Sequence, residues 1–159
     1  MKLATFKANG RTSYGAVTDG GIIDLGRKLS KYPTLLDLFR GQAIGEARAA
    51  AKGPADHQVK DVEMLPPILA PDKNICVGIN YPDRAAEYKD GKEAPKYPNL
   101  FCRFPTSLVG TDQPIVRPKV SDKFDYEGEI VIVIGKEGRH VPREQALGND
   151  EFSVRWTGQ

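Results

Sequence analysis

The feature that most constrains the fold is an uninterrupted run of apolar, β-branched residues from Ile130 to Ile134. A run of this kind predicts a strand that is buried on both faces. Glu127 and Glu129 come directly before it and are two residues apart. On a strand, that spacing places both carboxylates on one face, about 7 Å apart along the backbone. Gly128 leaves the opposite face bare, so a ligand or another backbone can come close.

Two carboxylates on one face of a strand repel each other unless positive charge lies between them. A hard divalent cation such as Mg²⁺, Mn²⁺ or Ca²⁺ suits this arrangement because its preferred ligands are oxygens. The other interpretation is a solvated strand end whose acids pair with lysines. Taken alone, the Glu-x-Glu motif favours that second interpretation.

Length, charge and hydropathy limit the class of protein. The chain has 159 residues and a formal net charge of +2, which suits one domain, or a small domain plus part of a second. The charge is too small to indicate binding to nucleic acid or an anionic membrane, and no apolar run approaches the ~20 residues that span a bilayer. Because residues 1–7 lack a signal-peptide core, we expect a cytoplasmic protein with Cys76 and Cys102 as buried thiols.

Strand signals dominate the first part of the chain. The dipeptide Asn9-Gly10 predicts a hairpin between short strands over 2–7 and 13–17. A third short strand is predicted at 22–24, and residues 59–69 are expected to be extended.

Helix signals lie between those strands. A short helix is predicted over 35–40, with Thr34 as its N-cap and Gly41 as its stop, and a second over 44–51. His57 is alone in a polar loop and is expected to be exposed to solvent. None of these residues forms a recognisable catalytic motif.

From residue 71 onward, the sequence predicts short strands and a helix that carries candidate functional residues. Short strands are predicted at 74–79 and 99–104. Pro82 suits the first turn of a helix that carries Arg84 and Glu87, three residues apart and therefore on one face. The simpler interpretation of this pair is an ordinary ion pair on the surface.

Several blocks, taken in this order, resemble the fumarylacetoacetate hydrolase family. Each block alone is a weak signal, but the ordered set, which covers residues 72 to about 147, is specific for the family. They are Ile75-Cys76-Val77-Gly78-Ile79-Asn80-Tyr81, Asn99-Leu100-Phe101, Ser107-Leu108-Val109-Gly110, Asp125-Tyr126-Glu127-Gly128-Glu129 and Val133-Ile134-Gly135-Lys136.

The resemblance implies an α+β fold. Residues 1–70 correspond to a small β-rich N-terminal domain, and residues 71–159 to a mixed β-roll or barrel catalytic domain that is incomplete at its C-terminus. It also implies one divalent metal, Mg²⁺ with Mn²⁺ or Ca²⁺ as alternatives, and small 2-oxo or 1,3-dioxo acids as substrates. The chemistry implied is C–C bond hydrolysis, isomerisation or decarboxylation through a metal-chelated enolate.

The same resemblance assigns roles to individual residues. Glu127 and Glu129 match the family's metal-binding glutamates, and the third ligand matches either Asp150 or Glu151. Arg103 stands where the family commonly has a lysine, and we expect it to bind a substrate carboxylate in bidentate fashion. Tyr81 is also expected to bind substrate.

The helix after Pro82 departs from the family. Many hydrolytic members carry a histidine where this chain has Arg84, followed three residues later by an acid, here Glu87. Arginine cannot act as a general base near neutral pH. We therefore expect Glu87 to move protons and Arg84 to bind a carboxylate. This departure favours isomerase or lyase chemistry slightly, although hydrolase remains the expected family activity.

The end of the chain is the second departure. The block Asn149-Asp150-Glu151-Phe152-Ser153-Val154-Arg155 follows Glu129 more closely than in the family, and the later blocks do not occur. Two hypotheses follow. The first is a metal-dependent enzyme acting on 2-oxo acids, expected to be a homodimer. The alternative is a catalytically impaired fragment, or a non-catalytic family member, that binds a partner subunit or a small acid.

Overall fold

The computed structural model describes residues 1–79, 96–126, 128–135 and 137–146, together with the backbone of residues 153–158. The chain forms two compact units, Met1–Ile68 with Val109–Gln159, and Leu69–Leu108. The division predicted from sequence, into domains 1–70 and 71–159, stays a prediction. No helix among the described residues is long and apolar enough to cross a membrane.

An antiparallel four-stranded sheet forms the N-terminal part, in the order β3-β2-β1-β4. Its strands are β1 (Lys2–Ala8), β2 (Arg11–Thr18), β3 (Gly21–Asp24) and β4 (Glu63–Leu65). Asn9 and Gly10 both have positive φ, 48° and 77°, as the tight turn between two twisted strands requires. The predicted hairpin and third strand are confirmed.

Three short helices pack beside this sheet: α1 (Leu25–Lys28), α2 (Leu35–Arg40) and α3 (Ile44–Ala50). Thr34 caps α2 as predicted, because its side chain accepts a hydrogen bond from the Asp37 backbone while Asp37 bonds back to the Thr34 backbone. Gly41 ends α2, also as predicted. Helix α1, for which Asp24 is the N-cap, was not predicted from the sequence.

The buried core of this part lies between the sheet and the helices. Its largest fully buried side chains include Tyr14, Leu25 and Leu38. The cluster, called the N-terminal core below, comprises Tyr14, Ala16, Ile23, Leu25, Leu35, Leu38, Phe39, Ala43 and Ala47.

Both edges of the sheet are covered, which protects them from pairing with other chains. On the β3 edge, His57 exchanges backbone hydrogen bonds of 2.8 Å and 3.1 Å with Ile22. On the β4 edge, Gly110 lies so close to the Met64 carbonyl that any Cβ would clash with it. The expectation of an exposed His57 is therefore wrong: the backbone pairing draws its side chain in to 19% exposure, with Nε2 3.7 Å from Asp24 Oδ2.

The second unit contains a two-stranded antiparallel pair, β5 (Ile75–Gly78) and β6 (Asn99–Cys102). Ile75 pairs with Cys102 and Cys76 with Phe101. Cys102 is exposed and Cys76 half-buried, and both are free. The expectation of two buried thiols is therefore wrong for Cys102. The reason is that no second layer covers this ribbon in the described part of the unit.

The strand predicted from the apolar run is β7 (Gly128–Val133), which pairs with β8 (Ser153–Gly158). Its burial alternates: Glu129 and Val133 are half-buried, whereas Ile130 and Ile132 are 48% and 50% exposed. The expectation of burial on both faces is wrong, because the described chain supplies packing to one face only. Antiparallel strands with a few short helices agree with the predicted α+β class.

Candidate metal and substrate site

The strand β7 carries Glu129, the one predicted metal ligand that lies within the described residues. It begins at Gly128, so Glu129 is its second residue and lies on the half-buried face with Val131 and Val133. No hydrogen bond or ion pair joins the Glu129 carboxylate to another described residue. A partly buried carboxylate that is paired with no described cation is costly, and among the described residues nothing occupies its oxygens.

The strand is open at Gly128, on the face opposite Glu129. An ideal Cβ placed on Gly128 would meet no described atom within 4 Å, which agrees with the open face that the sequence predicts there. The side chains just before it, Asp125 and Tyr126, are exposed. Glu127, the other predicted glutamate ligand, lies outside the described residues.

The third predicted ligand also falls outside the described part of the chain, whether it is Asp150 or Glu151. The strand that follows is described: β8 begins with Ser153 opposite Val133 and continues to Thr157 opposite Glu129. Among the described residues, no three His, Cys, Asp or Glu side chains converge in a way that could hold a metal ion. The predicted ligand set therefore stays a prediction, although its carboxylate oxygens suit a hard divalent cation.

Arg103 follows β6 directly and is held at two points. Its backbone N–H donates to the Asn74 carbonyl over 3.0 Å, and its guanidinium carbon lies 5.5 Å from the centre of the Phe101 ring. No carboxylate among the described residues pairs with it. Stacking on an aromatic ring restricts the orientation of the guanidinium but leaves its N–H groups available to a bidentate carboxylate. The other predicted substrate-site residues, Tyr81, Arg84 and Glu87, lie outside the described ranges.

A polar cluster in the N-terminal part was not found from the sequence. Asp24 is only 2% exposed and accepts hydrogen bonds from Ser13 (2.5 Å), Arg11 (3.1 Å) and the Arg27 backbone (3.1 Å). The spacing of Asp24 before Leu25 and Arg27 resembles a helix N-cap, and that signal could have identified it. Because protein groups occupy its oxygens, this carboxylate has a structural role and is closed to substrate.

The Tyr14 hydroxyl is the other buried polar group of this region. Its oxygen has no hydrogen-bond partner among the described residues. Burial, with the nearby charge of Asp24 adding to it, raises the pKa of Tyr14 from 10.0 to about 12. The hydroxyl therefore keeps its proton at neutral pH and is enclosed in the core, away from solvent.

Comparison with known proteins identifies the family. Residues 73–149 match the family model described as fumarylacetoacetate (FAA) hydrolase C-terminal. The chain is 33% identical over 135 residues to the mitochondrial oxaloacetate tautomerase FAHD2A of Homo sapiens, over 82% of this chain and 42% of that protein. The chain belongs to the fumarylacetoacetate hydrolase family. The mitochondrial oxaloacetate tautomerase Fahd2a of Rattus norvegicus is 38% identical over 127 residues, 77% of this chain and 40% of that protein.

Solved structures of fumarylacetoacetate hydrolase family members share the fold. The fumarylacetoacetate hydrolase of Exiguobacterium antarcticum is 30% identical, with a TM-score of 0.75 over 99% of this chain and 56% of that chain. A maleylpyruvate hydrolase from Sphingobium sp. SYK-6 is 27% identical, with a TM-score of 0.69 over 91% of this chain and 53% of that chain. This chain thus spans less than half the length of the curated relatives it matches, and slightly more than half of the matched structures.

Proposed function

We propose that this chain supplies the divalent-metal centre and the carboxylate-binding residues of an enzyme acting on 2-oxo or 1,3-dioxo acids. The observation that carries the proposal is Glu129, a half-buried carboxylate of β7 without a described partner, at a position that matches one of the family's metal-binding glutamates. The names of its relatives support the substrate class, since they are oxaloacetate tautomerases and a maleylpyruvate hydrolase.

In this proposal Glu127, Glu129 and either Asp150 or Glu151 hold the metal, with Mg²⁺ expected and Mn²⁺ or Ca²⁺ able to replace it. A bound divalent cation would polarise the neighbouring oxygens of a 2-oxo acid and stabilise the negative charge that develops on them. Another structure of the maleylpyruvate hydrolase contains manganese (II) and pyruvate, and at 23% identity its likeness to this chain shows the fold alone. The choice of metal therefore rests on the oxygen donors of this chain.

The remaining residues bind substrate and move protons. Arg103 would bind a substrate carboxylate through its paired N–H groups, with the Phe101 ring restricting its orientation. Arg84 would bind a second carboxylate, and Tyr81 would contact the substrate beside it. Glu87 would remove and return the proton on the carbon next to the 2-oxo group.

Keto–enol tautomerisation of a 2-oxo acid is the reaction that these residues favour. It moves one proton between carbon and oxygen and needs no attacking water. Arg84, at the position where many hydrolytic members have a histidine, cannot activate water as a base. C–C bond hydrolysis is the second candidate, supported by the maleylpyruvate hydrolase and fumarylacetoacetate hydrolase relatives.

The test is an assay on the purified chain with Mn²⁺, following the absorbance of the oxaloacetate enol and, separately, the cleavage of an acylpyruvate. We expect the enol to disappear faster than with Mn²⁺ alone, and Glu87→Gln to lose this acceleration. Glu137→Gln, an exposed acid on the loop after β7, is the matched control. If the chain cleaves the acylpyruvate and does not accelerate tautomerisation, C–C bond hydrolysis replaces tautomerisation as the proposed reaction. Binding of Mn²⁺ with neither activity would favour the non-catalytic alternative.

Two further expectations belong to this proposal. We expect a homodimer, because Ile75, Val77 and Leu100 leave an exposed apolar face on the β5–β6 ribbon and such faces commonly mark association surfaces. We also expect the cytoplasm as the compartment, whereas the mitochondrial location in the relatives' names belongs to those proteins. Sedimentation velocity and localisation of a tagged protein would test the two expectations.

A further inference from the structure

The strand that carries Glu129 is packed against the N-terminal core. Val133 is half-buried and contacts that cluster of sheet and helix side chains. It lies on the same face of β7 as Glu129, four residues away and thus about 13 Å along the strand. The neighbouring residue Ile132, on the opposite face, is 50% exposed. Strand β7 therefore packs through one face only among the described residues, and that face is the one that carries Glu129.

A second contact joins the segment before β7 to the N-terminal sheet. Gly110 lies against the Met64 carbonyl of β4 with no space for a side chain. Its backbone N–H donates to Gln113 Oε1 over 2.9 Å, and the amide of Gln113 donates to Glu63 Oε1. Residues 110–133 are thus attached to the N-terminal part at both ends.

A strand paired with one neighbour has little stability of its own. With its isoleucine face exposed, β7 depends on contacts of the opposite face for a fixed position and rotation. We infer that Val133 is a positioning residue, which packs on the N-terminal core and so holds Glu129 in the orientation needed to bind a divalent cation. This inference rests on the proposed function, because it assumes that Glu129 is a metal ligand.

The experiment measures the affinity of the whole chain for Mn²⁺, from the electron paramagnetic resonance signal of the free ion. Because Val133 lies four residues from Glu129 and acts through the strand, we expect Val133→Ala to raise the Kd by about 3-fold to 10-fold, a usual range for residues that affect a site without touching its ligand. Ile132→Ala, next to it on the exposed face, should stay within about twofold. Val133→Ile, which keeps a branched apolar side chain, should restore most of the affinity.

A second pair of variants keeps the test valid if Val133→Ala does not fold, as judged by circular dichroism. Gln113→Ala removes two hydrogen bonds, one from the Gly110 N–H and one to Glu63, without creating a clash. It should raise the Kd about fivefold, the combined effect of two hydrogen bonds at or near the surface. Gln58→Ala is the control, since the Gln58 amide donates to the Gly20 carbonyl, 3.2 Å away in an exposed turn of the N-terminal sheet.

The outcomes separate the inference from the proposed function. If the wild-type chain binds no Mn²⁺, the proposed metal site is wrong and the inference falls with it. If the wild type binds Mn²⁺ and the Val133 and Gln113 variants match their controls, only the inference is overturned. A selective rise in Kd for Val133→Ala, reversed in Val133→Ile, supports both.

Discussion

Ser13 Oγ donates a 2.5 Å hydrogen bond to Asp24 Oδ1 inside the N-terminal part of the chain. The same carboxylate pairs with Arg11 at 3.1 Å and lies 3.7 Å from His57 Nε2. It also accepts from the backbone of Arg27, at the start of α1. One buried carboxylate thus joins β2, β3, α1 and the segment that covers the sheet edge.

Asp24→Asn should destabilise the chain by about 2–3 kcal/mol, because the hydrogen bonds to a charged, buried acceptor are lost while the side-chain size is kept. Urea denaturation gives the free energy of unfolding. Asp19→Asn, an exposed residue of the turn before β3, is the control and should change it little. Equal stability of the two variants would show that the Asp24 cluster contributes nothing.

Tyr14→Phe should stabilise the chain by about 1 kcal/mol at neutral pH, because it removes a buried hydroxyl that has no described partner. The free energy of unfolding should also depend on pH differently in the variant and in the wild type. Folding raises the pKa of Tyr14 from 10.0 to about 12, so above pH 10 the unfolded state loses this proton first. Wild-type stability should therefore fall faster than that of the variant between pH 10 and 12. Parallel pH curves from urea denaturation would contradict this.

Thr34→Ala should cost about 1 kcal/mol through loss of the cap of α2. The Thr34 hydroxyl accepts from the Asp37 backbone over 3.1 Å, and the Asp37 carboxylate accepts from the Thr34 backbone over 3.0 Å. Thr34→Ser, which keeps the hydroxyl, should retain most of the stability measured by thermal unfolding. A loss of similar size in both variants would point to the methyl group instead of the cap.

Mn²⁺ or Mg²⁺ should raise the Tm of the wild-type chain, since a ligand that binds only the folded state stabilises it. Chelator should reverse the shift. Glu127→Gln and Glu129→Gln should each abolish it, because each removes a charged oxygen ligand, whereas Glu137→Gln should not. A shift that survives in both glutamate variants places the metal elsewhere.

Arg103→Lys and Arg103→Met should both raise KM for a 2-oxo acid, because lysine lacks the planar pair of donors that binds a carboxylate. The Mn²⁺-induced rise in Tm should be unchanged in both, since Arg103 binds substrate in this proposal. Phe101→Leu, which removes the ring below the guanidinium, should give a smaller rise in KM. Steady-state kinetics would decide, and equal KM for Arg103→Met and wild type would contradict the role.

Local signals were enough for much of the secondary structure. The Asn9-Gly10 hairpin and the α2 helix between Thr34 and Gly41 depend on backbone conformation and hydrogen bonds within a few residues. Such interactions depend only on neighbouring residues, so a short stretch of sequence is enough to predict them. The family was also identifiable from the ordered blocks of residues 72–147, and the match to residues 73–149 confirms it.

Burial could not be predicted in the same way, because it depends on which distant segments meet. The apolar run of β7 predicted two buried faces, yet only the face with Val133 finds the N-terminal core. His57 was expected to be exposed, but its backbone pairs with Ile22 of β3, which is 35 residues earlier in the chain.

The candidate site likewise has some properties that local sequence indicates and others that depend on long-range contacts. The amino-acid sequence alone indicated which residues could bind a metal and a carboxylate, because charge and alternation along a strand are local properties. These residues are Glu127 and Glu129 beside one predicted strand, and Arg103 near the end of another. Three properties became visible in the folded chain: Glu129 lies on the packed face without a described partner, Arg103 stacks on Phe101, and Asp24 is enclosed within the N-terminal part. Those properties come from contacts between segments far apart in the chain, which no local pattern encodes.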